Sequence, residues 1–264
     1  MYDTNYHRAD TVLSAASKLV SAEDGKYLAG GQTLIPTMKQ RLAAPSDLID
    51  VSGIEEMRGI SVSGDTVTVG ASCTHAEVAS SADVASTIPA LAALAGGIGD
   101  PAVRARGTIG GSVANNDPAA DYPAACLGLG ATIVTDKREI LADDFFTGMF
   151  ETALDEQEII TAVKFPKAAK AAYAKFPNPA SRYAMVGVMA AQAADGVRVA
   201  VTGAGADGVF RHAEMEAALS SDWSPASAEG VSTDSGNMMS DLHGSSVYRA
   251  HLVGVMAGRA VGNT

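Results

Sequence analysis

Thr108-Ile109-Gly110-Gly111-Ser112 and, upstream of it, Gly30-Gly31-Gln32-Thr33 set paired glycines beside small hydroxyl or amide side chains. Lacking a Cβ, glycine reaches positive φ and lets its backbone come close to a ligand, so consecutive N–H groups can converge on an anion. Two such nests suit a diphosphate. In a chain with 27 glycines among 264 residues, a diglycine taken alone is more often a plain turn, and Thr33 can cap the first one. Arg104 and Arg106 lie just before the second motif and would offset phosphate charge, although exposed arginines commonly pair with surface carboxylates at little gain. Asp121, taken alone, is a first-turn helix acid that complements the helix dipole.

Other chemistry is thinly represented. The five histidines, His7, His75, His212, His243 and His251, have no tight metal-ligand spacing and read as structural. No Ser-His-Asp order and no paired-carboxylate hydrolase signature stands out, so no catalytic residue and no metal ligand is assigned. Cys73 and Cys126 are the only cysteines, too few for an iron–sulfur cluster or a disulfide scaffold.

The wording of the motifs is more specific than their glycines. Tyr27-Leu28-Ala29-Gly30-Gly31-Gln32-Thr33-Leu34-Ile35-Pro36, Arg104-Ala105-Arg106-Gly107-Thr108-Ile109-Gly110-Gly111, Asp117-Pro118-Ala119-Ala120-Asp121 and Asp241-Leu242-His243-Gly244-Ser245-Ser246-Val247-Tyr248-Arg249-Ala250-His251-Leu252 follow in that order. Over nearly its whole length the chain thus resembles the FAD-binding medium subunit of molybdenum hydroxylases, of the aerobic carbon monoxide dehydrogenase type. The resemblance implies non-covalent FAD. Its contact run covers Leu28, Ala29, Gly30, Gly31, Gln32, Thr33, Leu34 and Ile35, and its second run covers Thr108, Ile109, Gly110, Gly111 and Ser112, where serine replaces a common asparagine. Most of the affinity is expected from backbone donors. By the same resemblance Asp121 accepts the flavin N3–H, Ile98 and Ile160 pack against the cofactor, and Lys175 and Tyr183 reach the isoalloxazine.

The elements that must position these residues follow from periodicity. Asp10 is a candidate cap for a helix carrying Leu13, Ala16, Leu19 and Val20, stopped at Gly25. Strands over 26–29 and 48–51 flank a helix over 33–41, placing the first nest at a strand-to-helix junction. Ile60, Val62, Val67 and Val69 alternate around Gly64-Asp65 as a hairpin. Thr74-His75-Ala76-Glu77 reads as a capping box, and 88–95 as an apolar helix ending at Gly96-Gly97. Residues 99–116 read as an irregular loop. Asp117 is the expected cap of a helix to Leu127, followed by strands over 131–135, 139–142 and 158–165. Residues 167–172 read as a linker, 185–192 and 197–202 as an antiparallel pair, and 213–219 and 246–261 as helices.

The fold class expected is α+β. The resemblance implies a FAD-binding domain of the vanillyl-alcohol-oxidase-like (PCMH) type over 1–166, with subdomains 1–52 and 53–166, before a C-terminal domain over 173–264 with a small antiparallel sheet and helices. No Gly-x-Gly-x-x-Gly with an acidic residue about twenty positions on marks a Rossmann site. A net charge of −11 disfavours nucleic acid and anionic membrane surfaces. The apolar stretches fall short of the roughly 20 residues of a membrane span, and Met1-Tyr2-Asp3-Thr4 lacks a basic n-region. By resemblance the chain takes electrons from a [2Fe–2S] small subunit fed by a molybdopterin large subunit and passes them to an external acceptor. The expected assembly is a dimer of heterotrimers, cytoplasmic or peripheral to the inner face of the membrane. A stand-alone FAD oxidase or reductase of the same fold, and a nucleotide-binding scaffold without redox activity, are the rival readings.

Overall fold

A computed structural model describes residues 1–264. The chain opens with β1 (Asn5–Arg8), α1 (Val12–Ser21), β2 (Gly25–Leu28), α2 (Leu34–Lys39) and β3 (Asp47–Asp50). The strands form a parallel sheet in the order β1-β3-β2. Parallel neighbours need a crossover, and α1 and α2 supply it. Thr11, not Asp10, caps α1, because its hydroxyl accepts the Ser14 N–H while Ser14 answers the Thr11 N–H in a capping box.

The second segment contains β4 (Ile60–Ser63), β5 (Thr66–Gly70), α3 (His75–Ser80), α4 (Ala82–Thr87) and α5 (Pro89–Gly96). It continues with α6 (Pro101–Arg104), α7 (Ile109–Asn115), α8 (Tyr122–Leu129), β6 (Thr132–Thr135) and β7 (Glu139–Leu141). Then follow α9 (Ala142–Phe145), β8 (Phe146–Gly148), β9 (Glu151–Thr152) and β10 (Ile160–Pro166). The main sheet is antiparallel, in the order β4-β5-β10-β6-β7. The hairpin at Gly64-Asp65 and the Thr74/Glu77 capping box form as expected.

Two expectations in this segment are corrected. The span 99–116 is not irregular: Asp100 caps α6 and Thr108 caps α7, each accepting the backbone N–H three residues on. Asp117 does not cap a helix. Its carboxylate accepts the Ala119 N–H in a local turn, and α8 starts only at Tyr122, with Pro123 in its first turn and Asp121 at the cap position.

The last segment folds as β11 (Lys170–Pro177), β12 (Ala184–Ala193), β13 (Gly196–Thr202), β14 (Phe210–Arg211), α10 (Ala213–Ser221), α11 (Pro225–Glu229) and α12 (Ser246–Gly262). Its four strands lie in sequence order in one antiparallel sheet. β11 takes up part of the expected linker, because Lys170 to Ala172 pair with Gln192 to Ala190 of β12. A large core joins the first two sheets and their helices, and a smaller one fills the space between the third sheet and α12. No helix is long and apolar enough to cross a membrane.

Candidate functional site

β2 ends at Leu28, and the chain reverses through Gly30-Gly31 before α2 begins. Gly31 has φ +71°, a left-handed conformation that suits glycine. Gly30 answers to a different constraint: a Cβ on it would stand 2.1 Å from the Arg106 carbonyl oxygen and 2.7 Å from the Gly107 Cα. The two glycine motifs therefore touch backbone to backbone. From Gly30 to Leu34 the N–H groups have no acceptor within the chain. Thr33 makes no side-chain cap for α2, so this row of donors is left open.

The second motif is built differently, which corrects its reading as a positive-φ nest. Gly110 and Gly111 lie in the first turn of α7 without positive φ. The Ile109 N–H donates to the Cys73 carbonyl, that of Gly110 to the Ala71 carbonyl, that of Gly111 to the Thr108 hydroxyl and that of Ser112 to the Thr108 carbonyl. A Cβ on Gly110 would stand 2.6 Å from that of Ala71. This glycine seats α7 against the chain beyond β5, and its amide is already used.

Between the motifs runs a cleft of about 670 Å³, within the range of small-molecule and cofactor sites. Leu28, Ala29, Gly30, Gly31, Gln32, Thr33, Leu34, Ile98, Thr108, Gly110, Gly111, Ser112, Asp121, Ile160 and Tyr183 all line it. Ile35, Ile109 and Lys175 do not. Ile35 turns back against Gly31, Ile109 is fully buried in the large core, and Lys175 stands behind Asp121. Lys26, Tyr27, Ser72, His75, Asp100, Asn115, Asp117, Glu158 and Arg182 line the cleft without having been singled out for it. Tyr27 and Asp117 lay within the quoted motifs, and the capping box fixed His75 at the first position of α3, where the helix faces the second motif.

Charge does not make this an anion site. Lys26 and Arg182 face Asp100, Asp117, Asp121 and Glu158, so the open amides are the main anion-seeking feature. Arg104 is turned away, donating to the Ile98 carbonyl at 2.9 Å.

At the inner end Asp121 is 5% exposed. Its Oδ1 accepts the Tyr173 hydroxyl, and its Oδ2 accepts the Lys175 Nζ at 3.0 Å. The same ammonium donates to the Gly97 carbonyl at 2.8 Å. Burial pushes the Asp121 carboxyl up, opposed by Lys175 and Tyr173. Asp117 is likewise pushed up by burial.

Glu158 behaves oppositely, held down to about 2 chiefly by the Arg138 guanidinium against the cost of burial, with help from the Thr135 hydroxyl. Burial and then Arg104 push His75 down to about 4, leaving a neutral ring at pH 7. Its Nδ1 and the Tyr122 hydroxyl, on tilted rings 5.4 Å apart, are buried without partners.

Known proteins share this sequence pattern and fold. Residues 2–168 match the family described as the FAD binding domain in molybdopterin dehydrogenase. The nicotine 6-hydroxylase medium subunit of Paenarthrobacter nicotinovorans is 36% identical over 270 residues, covering 97% of this chain and 95% of that one. The carbon monoxide dehydrogenase medium chain of Hydrogenophaga pseudoflava is 32% identical over 272 residues, with 97% and 95% covered. The solved carbon monoxide dehydrogenase from Hydrogenophaga pseudoflava, in a form lacking the Mo-pyranopterin moiety, superimposes with a TM-score of 0.88 at 34% identity, over 98% of this chain and 96% of that one.

Proposed function

Since the chain belongs to the family of FAD-binding domains of molybdopterin dehydrogenases, we propose that the cleft between the β2–α2 turn and α7 is its FAD site. The chain is the FAD-binding medium subunit of a molybdenum hydroxylase complex, an oxidoreductase whose other subunits carry molybdopterin and [2Fe–2S] groups. The observation that carries the site assignment is the open row of N–H groups from Gly30 to Leu34 at the wall of the cleft.

Those amides take the diphosphate, which fits a site whose side-chain charge is on balance acidic. Gly30 and Gly31 contribute by carrying no side chain where phosphate and backbone must meet. Thr108 and Gly111 act from the facing wall, Thr108 through its hydroxyl and Gly111 through its bareness, while Ser112 offers a free hydroxyl. Leu28, Ile98 and Ile160 supply apolar wall, and Tyr183, on the loop between β11 and β12, covers the cleft at the end where Asp121 stands. Asp121 accepts the flavin N3–H at the inner end. Lys175 acts on the ring through Asp121, not by contact, which replaces the direct role expected from sequence. FAD, when bound, supplies the redox chemistry that accepts electrons from the [2Fe–2S] centre and returns them to an external acceptor.

Residues 1–166 serve as the FAD-binding domain, and the C-terminal domain, expected over 173–264, begins with β11 at Lys170 and backs Asp121 through Tyr173 and Lys175. The partners are a [2Fe–2S] small subunit and a molybdopterin large subunit in a dimer of heterotrimers, lying in the cytoplasm or at the inner face of the membrane. Co-expression with those two chains tests the assembly. A purified complex should contain flavin, iron and molybdenum and oxidise its substrate, whereas this chain alone, loaded with FAD, should not. Substrate oxidation by the isolated chain, free of iron and molybdenum, would contradict the reading and favour a stand-alone flavin oxidase.

A further inference from the structure

β11 reaches the cleft from behind. Tyr173 and Lys175, two apart on the strand, project on the same side, and between them they hold both oxygens of Asp121. Asp121 occupies the cap position of α8 but makes no side-chain bond to its amides. Its carboxylate is thus committed to the C-terminal sheet and not to its own helix.

The sheet is cut to allow this. Gly187 lies within β12, opposite Lys175, where a glycine weakens a strand and marks a close approach. A Cβ there would stand 2.1 Å from the Tyr173 hydroxyl and 2.8 Å from its Cζ. Thr202 of β13, paired with Gly187, donates its hydroxyl to the Ala120 carbonyl at 2.6 Å, with the Pro118 carbonyl 3.1 Å away. Three adjacent strands therefore converge on the segment that carries Asp121.

We propose that Tyr173 is a positioning residue of the flavin site: its phenol, admitted by the missing side chain of Gly187, fixes the Asp121 carboxylate as an acceptor at the edge of the ring. The proposal rests on the reading that Asp121 faces the flavin. The groups facing Asp121 are Tyr173 and Lys175 from β11, Tyr122 from α8 and Tyr183 from the β11–β12 loop. Burial raises this carboxyl, while Lys175 and Tyr173 work against the rise. Removing the phenol leaves the burial in place, so the carboxyl takes up a proton at higher pH. A neutral Asp121 opposes a reduced, anionic flavin less than a charged one.

The test is the flavin midpoint potential, measured across pH on the full-length chain loaded with FAD, for Tyr173→Phe, Gly187→Ala, Asp121→Asn and Tyr173→Phe combined with Asp121→Asn. Tyr173→Phe should still fill with FAD, bind it up to about tenfold more weakly because a less firmly held, more readily protonated Asp121 is a poorer acceptor for the flavin N3–H, and shift the potential positive. The pH at which the Asp121 proton affects the potential should move upward. Gly187→Ala should shift it in the same direction with the phenol still present; if that variant does not fold, Tyr173→Phe carries the test alone. On the Asp121→Asn background Tyr173→Phe should change nothing further.

Equal shifts on both backgrounds would overturn the proposal, because the phenol would then act without Asp121. If Asp121→Asn changes potential and affinity but Tyr173→Phe does not, the proposal fails alone. If Asp121→Asn itself changes neither, the placement of Asp121 at the ring fails, and the role of Tyr173 with it.

Discussion

At the residue scale, the sequence makes Gly30, Gly31, Gly110 and Gly111 look alike, and the fold separates them. Gly31 provides a left-handed turn, Gly30 a close backbone approach and Gly110 a seat for α7. The types and spacing that mark a site were legible in the chain. Which amides stay open was not, because it depends on partners distant in sequence, such as the Ala71 carbonyl that takes the Gly110 N–H. The charged network around Glu158 was invisible for the same reason. Arg138 binds it by Nε at 3.0 Å and by Nη2 at 2.9 Å, and the Asp155 N–H donates at 3.0 Å.

Glu158 falls from an ordinary 4.5 to about 2 in the fold. Its contribution to stability is therefore present above pH 4.5 and is lost as pH falls toward 2, since the unfolded chain binds the proton first. Glu158→Gln should cost about 2 kcal/mol at pH 7, within the range for hydrogen bonds to charged groups. The difference from the parent should shrink between pH 4.5 and 2, read from urea unfolding of the apo chain. A pH-independent difference would mean that the ion pair contributes nothing specific.

At the element scale, the β4–β5 hairpin and the antiparallel pair of β12 and β13 were readable because alternation or an unbroken apolar run marks a strand. α7 was missed because Gly110-Gly111 reads as a breaker, and only the Thr108 cap and its contacts with Cys73 and Ala71 hold those glycines helical. β11 was missed because Lys170-Ala171-Ala172 has the composition of a linker, and pairing with β12 decides it. A helix that opens on two glycines depends heavily on its cap. Thr108→Ala should lower stability by about 1 kcal/mol or somewhat more. It should also weaken FAD binding, because the helix forms one wall of the cleft. The thermal midpoint and FAD affinity, measured together, check this; a fall in neither would show that α7 is held by its contacts alone.

At the scale of the molecule, the two cores are tied by a few buried polar contacts as well as by apolar packing. Arg198 of β13 is 7% exposed. It donates to the Leu127 carbonyl at the end of α8 and pairs with Asp143 and Asp195. Gly130, beyond α8, leaves room for its guanidinium, which a Cβ would approach to 3.2 Å. Arg198→Met should destabilise by about 1.5 kcal/mol, chiefly because the Leu127 carbonyl loses its buried donor, while Asp143 keeps Arg211 and Asp195 is exposed. It should also loosen the inner end of the cleft, because α8 carries Asp121 at its start; hydrogen exchange across 121–130 reads this, and unchanged protection there would confine Arg198 to its own sheet.

The claim on which the rest depends is that the cleft holds a dinucleotide by its diphosphate. The direct measurement is a fluorescence titration of the apo chain with FAD and, separately, with FMN, which lacks the diphosphate bridge and the adenosine. FAD should bind one to one, at least about 100-fold more tightly than FMN, a difference of about 2.7 kcal/mol. Equal affinity for the two flavins, or no FAD binding at saturating concentration, would contradict the account.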